Sequence, residues 1–86
     1  MVTIDMLYFA WVREGVGAGG ERVTPPDDVR TVADLIGWLA TRSAGHAAAF
    51  AEPARIRAAI DDRFVDADTP IAGAREIALF PPVTGG

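Results

Sequence analysis

The sequence predicts an α+β domain, a mixed sheet of about four to five short strands packed on one main helix. Three observations carry that expectation. A β-rich stretch opens the chain, one apolar stripe at helical spacing lies in its middle, and a second β-rich stretch closes it before Pro81-Pro82.

Val2 to Phe9 reads as the first strand, with Val2, Ile4, Tyr8 and Phe9 as its buried residues. Ala10 to Gly15 suits a short helical turn, and Gly15 to Gly20 a flexible connection. Glu21 to Thr24 reads as a second strand, stopped by Pro25-Pro26 because proline has no N–H for a ladder. The main helix is expected over Val32 to Arg42. Thr31 caps it, Asp34 meets its free N–H groups, and Val32, Leu35, Ile36 and Leu39 form one stripe. Gly45 reads as its stop, and His46 to Ala51 as a weaker helical stretch ended by Pro53. Ile56 to Ile60 and Arg63 to Val65 pair around an Asp61-Asp62 turn. Glu76 to Phe80 is the last strand, leaving Val83 to Gly86 as an extended, flexible tail.

A chain of 86 residues makes one domain, expected over 1–86, with room for a single modest core. Without Cys it has no disulfide, zinc thiolate or thiol nucleophile. Twelve carboxylates face eight basic side chains, all Arg, which argues against a nucleic-acid partner needing a basic stripe. Lys is absent altogether, so no side-chain amine can form a Schiff base or accept another modifier; Arg-for-Lys exchange in a GC-rich genome is the favoured explanation of the pattern. No apolar run approaches the roughly 20 residues of a membrane span, and the N-terminus lacks a basic leader pattern. The expectation is a cytoplasmic protein with no membrane partner.

Side-chain catalysis looks poorly supplied. His46 is the one His, and an exposed position at a helix end is the expectation for it. Asp61, Asp62, Asp66 and Asp68 suit hydrated turns better than a metal site. Gly17, Gly19 and Gly20 lack the Lys and the following helix of a phosphate loop. Trp11 and Trp38 read as packing residues. No cofactor and no metal is expected. The tail differs, because two terminal glycines after Pro81-Pro82 give a slim end whose carboxylate can enter a narrow channel.

The stretch Ile77-Ala78-Leu79-Phe80-Pro81-Pro82-Val83-Thr84-Gly85-Gly86 resembles the C-terminal signature of the molybdopterin synthase small subunit, in the MoaD/ThiS family of sulfur carriers. Leu7-Tyr8-Phe9-Ala10-Trp11-Val12-Arg13-Glu14 is similar to that family's first strand and turn, and Thr31-Val32-Ala33-Asp34-Leu35 to its helix start. The resemblance implies a ubiquitin-like β-grasp fold. Two places depart from the family pattern: Asp61 stands where Asn is usual, and Ala74-Arg75-Glu76 where Gly-Asp-Glu is favoured. The second departure suggests that Gly73 supplies the unusual φ of that turn, and both bear on how the chain fits its partners.

The resemblance further implies that the working group is the carboxylate of Gly86, presented by Gly85. An E1-like adenylyltransferase (MoeB-like) would adenylate it with ATP, and a sulfur donor would convert it to a thiocarboxylate. The tail would then enter the large synthase subunit (MoaE-like), which holds the catalytic side chains and makes molybdopterin from cyclic pyranopterin monophosphate. The chain is thus expected to be a co-substrate subunit. Phe9, Phe64 and Phe80, with Arg13 at the rim and Pro81 and Pro82 at the exit, are implied to meet the large subunit; the competing expectation makes the three aromatics core residues. Three other functions stay open: a sulfur carrier for thiazole or cysteine synthesis, a protein modifier, and a non-conjugating ubiquitin-like interaction module.

Overall fold

A computed structural model describes residues 2–82. The tail expected over 83–86, with Gly85 and Gly86, lies outside the described residues. Five strands form one sheet in the order β2-β1-β5-β3-β4: β1 Ile4–Tyr8, β2 Gly20–Val23, β3 Arg57–Ile60, β4 Arg63–Val65 and β5 Glu76–Phe80. β5 runs parallel to β1, with Tyr8 opposite Leu79, and antiparallel to β3, with Arg57 opposite Phe80. The sheet is therefore mixed, with the last strand at its centre.

Three helices stand between the strands: α1 Ala10–Val16, α2 Val32–Leu39 and α3 Ala44–Ala49, with a short 3-10 turn at Pro53–Arg55. α2 is the expected main helix, and α1 and α3 correspond to the helical turn expected from Ala10 and the weaker helical stretch expected from His46. α2 starts as its sequence dictates. Thr31 Oγ1 accepts from Asp34 N–H at 3.1 Å, and Asp34 Oδ2 accepts from Thr31 N–H at 3.3 Å, a reciprocal cap. Its stripe of Val32, Leu35, Ile36 and Leu39 is buried against Ile4, Met6, Tyr8, Ile77 and Leu79 from the facing sheet. Trp11 and Trp38 pack, half-buried, against that core, under Arg55 and Arg42 respectively.

Two boundaries differ from expectation for tertiary reasons. α2 ends at Leu39, and Gly45 lies inside α3 rather than stopping a helix. A Cβ at Gly45 would sit 2.6 Å from the carbonyl oxygen of Gly15, so the glycine lets α3 approach α1. The first strand is also shorter than expected. Val2 and Phe9 are 55% and 49% exposed, because the chain leaves the sheet at Phe9 and turns into α1 through Ala10 at φ 53°.

The β3–β4 turn uses Asp61 and Asp62 at φ 47° and 73°, a conformation short Asx side chains tolerate. Asp61 in the family's Asn position keeps a structural role: its carboxylate accepts from the N–H of Glu76 at 2.9 Å and of Arg75 at 3.2 Å. Gly73, at φ 80°, takes the unusual conformation ahead of β5, as the Ala74-Arg75-Glu76 departure suggested.

Candidate functional site

One sheet face is covered by the helices; the other is open, and its pattern follows from register. Leu7 lies opposite Ala78, Ala78 opposite Ala59, and Ala59 opposite Phe64, so one row of apolar side chains crosses β1, β5, β3 and β4. Sequence reasoning missed Leu7, Ala59 and Ala78. The alternation of Glu76-Ile77-Ala78-Leu79-Phe80 carried the signal, since burying Ile77 and Leu79 turns Ala78 and Phe80 outward.

Phe80 extends the row toward the chain's exit. Its ring centroid lies 5.7 Å from that of Phe64, which is 81% exposed. Phe9 joins them from the other side, where its N–H donates to Leu79 O at 3.2 Å. Together Phe9, Phe64 and Phe80 line one shallow hollow with Leu7, Ala59 and Ala78. The three aromatics are therefore surface residues: Phe9 and Phe64 lie outside the core, and Phe80 is half-buried. An exposed patch of this kind marks an interaction surface.

Charge frames the patch. Arg13 is exposed on α1 and lies along Gly19, whose missing side chain gives it room. Arg57, opposite Phe80, is exposed on the other flank of β5. Asp5, Asp62 and Glu76 line the opposite end, with Asp5 accepting from Arg22 at 2.9 Å. Pro81 and Pro82 are half-buried and continue from β5, which lies between β1 and β3 at the centre of the sheet. The site thus pairs an apolar patch with a chain exit.

A second cluster lies on the covered side and overturns the expectation for His46, which is only 8% exposed. Ser43 is the true cap of α3: its Oγ accepts from His46 N–H at 3.1 Å and lies 2.7 Å from His46 Nδ1. His46 Nε2 lies 2.5 Å from Glu21 Oε2, to which the Tyr8 hydroxyl donates at 2.8 Å. Arg42 stands 3.6 Å from the other oxygen of Glu21. Burial and the Glu21 carboxylate push the Tyr8 phenol well up. Burial acts to raise Glu21, but hydrogen bonds from His46 and Tyr8 and the nearby charges outweigh it and hold the carboxyl below its ordinary range.

The sequence profile of the ThiS family matches residues 6–86. The chain belongs to the ThiS family. It is 40% identical over 83 residues to the molybdopterin synthase sulfur carrier subunit of Escherichia coli (strain K12), covering 96% of this chain and 99% of that one. Two solved structures share its ubiquitin-like β-grasp. A candidate molybdopterin converting factor, subunit 1, of Pyrococcus furiosus superposes with a TM-score of 0.74 at 26% identity, covering 96% of this chain and all of that one. SAMP1 of Haloferax volcanii superposes with a TM-score of 0.71, also at 26% identity, covering 99% and 100%. The ThiS-family profile includes Leu7, Phe9, Ala59, Phe64, Ala78 and Phe80 and the Gly-Gly end. Among the described residues, no helix is long and apolar enough to cross a membrane.

Proposed function

We propose that this chain is the sulfur carrier subunit of a molybdopterin synthase, holding sulfur as a thiocarboxylate on Gly86. The observation that carries the reading is the 40% identity to the E. coli sulfur carrier subunit over nearly the full length of both chains. The apolar patch beside the chain's exit supports it, since a carrier that delivers its own end must dock next to that end.

The chemistry follows from what a carboxylate lacks. Its oxygen is a poor leaving group, so an E1-like adenylyltransferase with ATP first joins a Gly86 oxygen to the α-phosphorus, and pyrophosphate leaves. A sulfide-equivalent nucleophile supplied by the donor then attacks the acyl carbon and expels AMP, leaving the C-terminal thiocarboxylate. Docked on the large subunit through Phe9, Phe64 and Phe80, with Arg13 at the rim and Pro81-Pro82 directing the exit, the tail enters that subunit's active site. Gly85 and Gly86 carry no side chain to obstruct it. Two deliveries convert cyclic pyranopterin monophosphate to molybdopterin.

Intact-mass spectrometry after incubation with the adenylyltransferase, ATP and a sulfur donor tests the reading. Replacement of one oxygen by sulfur, followed by molybdopterin formation with the large subunit, is expected. Loading without product formation would assign the carrier to another sulfur pathway. The likeness to SAMP1, the small archaeal modifier protein 1 of H. volcanii, favours a second reading as a protein modifier. Amide-linked conjugates in cell lysate would establish that one.

A further inference from the structure

We propose that this chain is built to be inert toward its own activated terminus, so that none of its side chains can take the acyl group carried on Gly86. The inference rests on the carrier reading above, and it concerns how such a carrier avoids modifying itself.

An adenylate or thioester at Gly86 is an electrophile. In a protein it is met by amines, thiols, imidazoles, phenolates, and hydroxyls with a base beside them. Tethering raises the danger, because groups on one chain meet at effective concentrations on the order of millimolar. From Phe80 to Gly86 the chain reaches up to about 20 Å, enough to return to the strands flanking β5.

Among the side chains the first two classes are missing: the sequence has neither Cys nor Lys. All eight basic side chains are Arg, whose guanidinium stays protonated and offers no lone pair. This matters most at Arg57, directly opposite Phe80 and exposed on the groove it shares with Phe64 and Thr69. Arginine keeps positive charge beside the exit without placing an amine there. Whatever codon usage contributed, the chemical result is the same.

The next two classes are represented once each, and both are locked away. Tyr8 is 1% exposed, and its hydroxyl donates to Glu21, so no phenolate forms near neutral pH. His46 is buried with Nδ1 engaged by Ser43 and Nε2 by Glu21, leaving no ring nitrogen free. One carboxylate, Glu21, therefore sequesters both. Ser43 has His46 beside it and Thr31 has Asp34, but each hydroxyl oxygen is already engaged as a helix cap, accepting the N–H of His46 and of Asp34 respectively.

The test bypasses enzymatic loading. The full chain is prepared with Gly86 as a thioester, by thiolysis of a C-terminal intein fusion, and held at mildly alkaline pH. Intact mass and peptide mapping follow its fate. An ε-amine attacking the thioester carbon expels the thiol and leaves an amide. Wild type, and Arg22→Lys on β2 opposite Asp5, at the end of the sheet away from Phe80, are expected only to hydrolyse to the free acid. Arg57→Lys and Thr69→Lys should lose the thioester about tenfold faster or more, into an internal amide mapped to the new lysine. Two separate positions keep the test sound if one variant packs poorly. An adduct on any wild-type side chain, an ester on Ser43 included, would overturn the proposal, as would lysine variants decaying no faster than wild type. Because no activating enzyme takes part, this result is independent of whether ATP-dependent loading succeeds.

Discussion

Phe64 and Phe80 stand on strands that are not neighbours, yet their ring centroids are 5.7 Å apart. Two strand spacings separate β4 from β5, roughly 9–10 Å. The rings close that gap by leaning over β3, where Ala59 lies opposite Phe64 and Arg57 opposite Phe80. The two rings thus make one aromatic surface from two strands and set it beside the chain's exit.

Phe64→Ala is expected to weaken binding to the large synthase subunit by about 1–4 kcal/mol, as loss of an aromatic anchor does. With Phe64 81% exposed, stability should change by no more than about 0.5 kcal/mol. Calorimetric titration and thermal melts on the same variant separate the two effects. A large drop in melting temperature with unchanged affinity would return Phe64 to a folding role.

Leu35→Ala tests the covered face. Leu35 has no exposed surface and sits in the core against the sheet, so its truncation should cost about 2–5 kcal/mol. Urea melts measure it. A loss under about 0.5 kcal/mol would mean that the α2 stripe does not hold the helix to the sheet.

The parts of this fold that local chemistry controls were legible in the sequence. Thr31 and Asp34 cap α2 through their own side chains, and β4 and β5 match the expected Arg63–Val65 and Glu76–Phe80. What tertiary contact decides was not legible. Gly45 resembles a helix stop, and only the approach of Gly15 shows why α3 needs a glycine there. Starting the second helical stretch at His46 hid the Ser43 cap, and with it the reason His46 points inward to Glu21. For the site, Phe9, Phe64 and Phe80 were named from resemblance, whereas the Leu7–Ala78–Ala59 row required register. A strand's alternation gives its two faces but not which residues of other strands lie alongside.

The terminus should matter for transfer and not for folding. Every buried residue of the described core precedes Pro81, so deleting Gly86, or extending the chain beyond it, should leave the melting temperature unchanged. Sulfur loading should be abolished in both proteins. Melts and intact mass after incubation with the adenylyltransferase, ATP and sulfur donor provide the comparison. Full loading of the extended protein would exclude Gly86 as the acceptor.

Acid should loosen the molecule through Glu21. Its carboxylate accepts from Tyr8 and lies beside His46 and Arg42, and these partners hold its folded pKa below the ordinary 4.5 despite partial burial. A depressed carboxyl contributes stability that is fully present above the unfolded value and is lost as pH falls through the folded one. Melting temperature should therefore hold on descending toward pH 4.5 and decline below it, with Glu21 supplying part of the slope. Glu21→Gln removes that part, because the amide does not titrate there. The variant should also be less stable at pH 7 by about 1–3 kcal/mol, since Tyr8 and His46 lose a charged partner at a largely buried position. Wild-type and variant curves should converge as pH falls. Parallel curves across that range would show that the stability contributed by this cluster does not depend on the Glu21 charge.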